Sequence, residues 1–106
     1  PPDDKLGCLQ DVHWSMGGVG YFPTYTLGNL YSAQLMNAAQ SHLSDLQGSI
    51  RKGDFTPLRE WLRTHIHQHG KRYTAERLVE TAVGTPPSSQ PFVEYLRNKY
   101  QPLYQF

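Results

Sequence analysis

Residues 27–46, Leu27-Gly28-Asn29-Leu30-Tyr31-Ser32-Ala33-Gln34-Leu35-Met36-Asn37-Ala38-Ala39-Gln40-Ser41-His42-Leu43-Ser44-Asp45-Leu46, decide the fold class. Leu27, Leu30, Tyr31, Leu35, Met36, Ala38, Ala39, Leu43 and Leu46 recur every three or four positions, the period of one face of an α-helix. The spacing predicts the longest helix of the chain, stopping near Gly48 or Gly53.

Working downstream, Thr56 as N-cap, Pro57 at the first helical position and Gly70 as a left-handed stop frame a second helix, with Leu58, Trp61, Leu62 and Ile66 as its buried stripe. Thr74 and Gly84 frame a short third, and Glu76 lies in its first turn, where the helix dipole favours negative charge. After the linker Thr85-Pro86-Pro87-Ser88-Ser89, the residues Phe92, Val93, Leu96 and Tyr100 mark a final helix that Pro102 ends or bends. The prediction is an all-α array of about four helices.

Working upstream, residues 7–25 set Gly7, Gly17, Gly18, Gly20 and Pro23 among Trp14, Tyr21, Phe22 and Tyr25. Glycine loses backbone entropy and proline lacks a donor, so regular helix tolerates the mixture poorly. The expectation is a glycine-rich loop segment over residues 1–26, preceding a helical scaffold over residues 27–106.

The chain has 106 residues, enough for one small domain with a single core. Ten basic against nine acidic residues, a net charge of +1, is not the footprint a phosphate backbone demands, so nucleic acid is not an expected partner. Cys8 is the only cysteine; no internal disulfide can form, and a cytoplasmic setting fits. No apolar run approaches the roughly 20 residues of a membrane span, so no membrane partner is expected. Pro1 to Lys5 are polar, with no initiator methionine, and the chain reads as cut from a longer polypeptide.

The loop gathers Gln10, Asp11 and His13 beside Tyr21, Thr24 and Tyr25. Asp11 is able to orient or charge the imidazole of His13, and His13 to donate a hydrogen bond to an oxygen that turns negative during attack on a carbonyl. Tyr21 or Tyr25 would add a neutral donor. Equally, Asp, Gln and His in loops cap neighbouring helices, and tyrosines satisfy their hydroxyls in a core. The residues alone leave both readings open.

Gly7-Cys8-Leu9-Gln10-Asp11-Val12-His13-Trp14 is similar, at every specified position, to the GxxQDxHW signature of the Taq-type metallocarboxypeptidases. The similarity continues through Met16-Gly17-Gly18-Val19-Gly20-Tyr21-Phe22-Pro23-Thr24-Tyr25, Gly28-Asn29-Leu30, Gly53-Asp54-Phe55 and Pro57-Leu58-Arg59-Glu60-Trp61-Leu62. The resemblance implies part of a larger, neurolysin-like helical peptidase that removes C-terminal residues from peptides. It implies that His13 stabilises the tetrahedral intermediate, that Gln10 and Asp11 support it with Trp14 and Thr24 alongside, and that Tyr25, or else Tyr21, is the neighbouring donor. It implies zinc, or another divalent metal, on an HExxH helix with a later glutamate. HExxH occurs nowhere in this sequence, so the metal ligands are expected elsewhere and the 106 residues alone should be inactive. The implied partners are a peptide substrate, the N-terminal part of the same polypeptide and a second copy in a homodimer. The competing reading is a self-standing all-α protein-interaction module.

His65, His67 and His69 suggest a metal cluster. On a helix only His65 and His69 would share a face, and Ile66 follows His65 where a zinc-binding helix of the HExxH type has glutamate; a structural or surface role is expected. Lys71, Arg72 and Arg77 read as a solvated basic face. Phe92, Tyr95, Tyr100, Tyr104 and Phe106 read as docking residues of the final helix.

Overall fold

A computed structural model describes residues 1–105; Phe106 lies outside the described residues. Six α-helices follow in order: α1 (Val12–Ser15), α2 (Pro23–His42), α3 (Leu46–Arg51), α4 (Thr56–His65), α5 (Ala75–Val83) and α6 (Gln90–Tyr104). Among the described residues there is no strand. The four expected helices are α2, α4, α5 and α6; α1 and α3 are additional short ones.

The long helix is shifted and divided relative to expectation. α2 begins at Pro23, whose fixed φ suits the first turn, so Thr24 and Tyr25 sit on a helix and not in a loop. It ends at His42. Asp45 adopts a left-handed φ of 56° and accepts from the Gly48 amide at 3.1 Å, which starts α3 along a new direction. The apolar period runs across this break because Leu43 and Leu46 both pack inward on either side of it.

Thr56 is not the cap of α4. Asp54 accepts from the Thr56 amide at 3.0 Å, and that bond, with the Thr56 side chain second, holds its carboxyl below the usual aspartate range. α4 stops at His65, and residues His67–His69 form a 3₁₀ turn before Gly70 at φ 53°. The expected shared face of His65 and His69 is therefore lost, because the helix changes pitch at Ile66. α5 is as expected, capped by Thr74 Oγ1 at 3.3 Å from the Arg77 amide and closed by Gly84 at φ 83°. α6 runs through Pro102 to Tyr104; a proline so near the end forfeits only one hydrogen bond of the last turn.

α2 is the spine. α5 and α6 pack along it, and α3 folds back to carry α4. The core consists of Ala39, Leu46 and Trp61, with Leu35, Met36, Leu43, Ile50, Leu58 and Leu62 packed around it. Trp61 is 5% exposed and donates its indole N–H to His42 Nδ1 at 2.9 Å. Its other face stacks on His65, which donates from Nδ1 to the Trp61 carbonyl at 2.9 Å. His65 is thus a packing residue of this cluster. The Cα radius of gyration is 17.8 Å, against about 13 Å for a compact chain of this length, so the helices form an open array around a thin core.

Lys71, Arg72 and Arg77 are all exposed, as expected of a solvated face, and Arg77 pairs with Glu80 at 2.6 Å on α5. Among the described C-terminal aromatics only Phe92 is partly buried. Tyr95, Tyr100 and Tyr104 are exposed, and the Lys99 ammonium lies over the rings of Tyr95 and Tyr100.

Candidate functional site

The site is built at the head of α2. Asp11, in extended conformation, caps α1 by accepting from the His13 amide at 2.8 Å. The same oxygen lies 2.7 Å from His13 Nδ1. Helix capping and imidazole orientation, alternatives in the sequence, are here one carboxylate doing both. These bonds, the backbone one first, hold the Asp11 carboxyl below the usual aspartate range. An ionised carboxylate only accepts, so Nδ1 carries the proton and Nε2 is the free nitrogen of the neutral ring.

After α1 the chain reverses. Gly17 and Gly20 have φ of 72° and 80°, a region open to glycine at little cost. Gly18 donates to the His13 carbonyl at 2.7 Å, and a Cβ there would stand 3.0 Å from that oxygen. The reversal delivers an aromatic cage around the imidazole. Tyr21 stacks on it at 5.2 Å between centroids, Phe22 tilts against it at 4.9 Å, and Tyr25 meets it edge-on. The Tyr25 hydroxyl is 3.4 Å from His13 Nε2. Hydrogen bonding with Tyr21, then burial, raises the Tyr25 phenol above its ordinary value, so it remains a protonated donor at neutral pH.

Of the residues singled out from sequence, Asp11, His13, Tyr21 and Tyr25 come together. Trp14 packs on Phe22 at the edge of the group, 5.7 Å between centroids. Gln10 and Thr24 do not join it: Gln10 donates to the Lys5 carbonyl at 2.6 Å, and Thr24 donates to the Tyr21 carbonyl at 2.7 Å, securing the start of α2. Sequence reasoning missed Phe22 and Gly18. The run Gly17-Gly18-Val19-Gly20 signals the reversal that brings both to His13.

The donor set does not fit a metal ion by itself. Asp11 Oδ1 is committed to His13, and among the described residues no group of three or more His, Cys, Asp or Glu is placed to hold one. Also among them, no helix is long and apolar enough to cross a membrane.

Over its described residues the chain is an all-α array that sets a carboxylate-oriented histidine beside a tyrosine hydroxyl. It belongs to the carboxypeptidase Taq (M32) metallopeptidase family, whose model matches residues 1–100. It is 48% identical over 104 residues to thermostable carboxypeptidase 1 of Thermus thermophilus and 39% identical over 104 residues to carboxypeptidase 1 of Bacillus subtilis. Each alignment covers 98% of this chain, which spans 20% and 21% of those relatives. The crystal structure of an M32 carboxypeptidase from Deinococcus radiodurans matches with a TM-score of 0.87 at 41% identity, over all of this chain and 22% of that one.

Proposed function

We propose that these residues form the oxyanion-binding wall of a metallocarboxypeptidase, acting on the C-terminal peptide bond of a peptide. The observation that carries the reading is the chain of contacts from Asp11 through the imidazole of His13 to the hydroxyl of Tyr25. In the resting, neutral state Tyr25 donates to Nε2. When the imidazole is protonated, Asp11 balances its charge, Nε2–H becomes a donor and the Tyr25 O–H is released to become a second. Two donors then converge on the space where a carbonyl oxygen gains charge, with Tyr21 and Phe22 packed against the imidazole to hold its orientation. Tyr21 stands behind Tyr25 as the alternative donor.

The family is one of metallopeptidases, and zinc is the divalent ion we put forward. Its ligands would lie in other parts of the polypeptide. Residues 1–26 carry the site and residues 27–106 its scaffold. Gln10, Trp14 and Thr24 shape the loop. The remaining polypeptide and a second copy of the enzyme are the proposed macromolecular partners, and the exposed thiol of Cys8 suits a reducing, cytoplasmic setting.

In the full-length enzyme, His13→Ala should lower kcat on the order of 10²–10³ with metal content unchanged. Normal turnover by a folded, metal-replete variant would sink the proposal.

A further inference from the structure

Beside the His13 ring, on the face of the reversal, lies a concavity of about 320 Å³ lined by Val12, His13, Met16, Gly18 and Tyr21. Apart from the imidazole and the Tyr21 hydroxyl, its walls are aliphatic, thioether and aromatic. No charged side chain lines it except His13 when protonated. Asp11, the nearest carboxylate, is bonded to Nδ1. Met16 is 78% exposed and Val12 58%, so these side chains form the mouth of the concavity and are not part of the core. Its depth comes from Gly18, whose missing Cβ lets the chain return against the His13 carbonyl.

We propose that this concavity is a specificity subsite, taking an uncharged apolar side chain of one of the two residues that flank the scissile bond, with Met16 and Val12 as the residues that select it. The inference rests on the oxyanion role of His13. His13 and Met16 line the same concavity, so a carbonyl held at His13 sets a neighbouring side chain against a wall that includes Met16, a flexible, polarizable side chain suited to variable apolar groups. An acidic side chain is disfavoured by loss of solvation against the apolar walls.

The test uses the full-length enzyme and two peptide series, one varying the last residue and one the penultimate, each with Leu, Phe, Gln and Glu. Met16→Lys should lower the Leu-to-Glu ratio of kcat/KM by about tenfold or more in one series, the discrimination expected of an apolar pocket that gains a charge. A smaller change in both series overturns the subsite. If the lysine variant fails to fold, Met16→Gln replaces it and should lower the same ratio, and an unchanged ratio counts against the subsite. His13→Ala separates this from the underlying reading: it should reduce kcat for every peptide of both series, the preferred ones included. Loss of kcat there with no ratio change at Met16 removes only the subsite, whereas full kcat in His13→Ala removes the oxyanion role itself.

Discussion

Gln34 ties the two ends of the helical array together, and its removal should loosen the linker and the start of α6 selectively. The side chain is 4% exposed on α2. Its amide donates to Thr85 Oγ1 at 3.1 Å and to the Pro86 carbonyl at 2.9 Å, and its oxygen accepts from the Ser88 amide at 3.0 Å. These bonds join positions more than fifty residues apart and fix a segment with little packing of its own. At about 1 kcal/mol net for each bond, Gln34→Ala forfeits about 3 kcal/mol, or roughly a hundredfold in the local opening equilibrium. Hydrogen exchange read by mass spectrometry on the full-length protein should show the Ser88 amide and the first turn of α6 exchanging about a hundred times faster. α4, which packs on α3, should keep its protection. Gln34→Glu should fall between, because it keeps the acceptor for Ser88 while losing both donors. Exchange in residues 85–93 within about threefold of the parent would refute the reasoning, as would an equal loss of protection in α4.

Trp61→Phe removes the indole donor to His42 but keeps most of the packing, so it should cost about 1 kcal/mol, whereas Trp61→Ala should cost about 3–5 kcal/mol; chemical unfolding of the two variants checks the interval. Asp11→Asn should lower kcat with only a small drop in melting temperature, because an amide still caps α1 but forgoes the carboxylate's share of stability and no longer balances a protonated imidazole. Asp11 also gives a pH signature. Its folded-state pKa is depressed, so the stability it contributes is present above the ordinary aspartate range and lost as pH falls through the lowered folded value. Acid titration of the parent should therefore show a destabilising step at low pH that is absent in Asp11→Asn.

The elements whose ends are set locally were legible in the sequence. α5 needs only Thr74 at one end and Gly84 at the other, and both act as expected. The boundary between α2 and α3 was not legible, since Leu43 and Leu46 keep the helical spacing while the chain turns at Asp45, a left-handed aspartate that composition does not announce. The start of α2 was hidden by aromatic and glycine residues around Pro23, although proline in a first turn is itself a start signal. In the site, two residues of separation made an Asp11 and His13 pair a candidate, and the place of Asp11 as cap of α1 brings the two together. The approach of Tyr25 depends on the reversal through Gly17 and Gly20, and the cage position of Phe22 on the helix start at Pro23. Neither follows from spacing alone.

The central claim is that His13 binds the developing oxyanion and not the ground-state peptide. It is tested most directly by comparing a phosphinic peptide, a mimic of the tetrahedral intermediate, with its parent substrate on the full-length enzyme and on His13→Ala. The mimic should bind on the order of 10²–10³ weaker to the variant, in step with the loss of kcat, while substrate KM changes little. Equal weakening of mimic and substrate, or undiminished binding of the mimic, would contradict it.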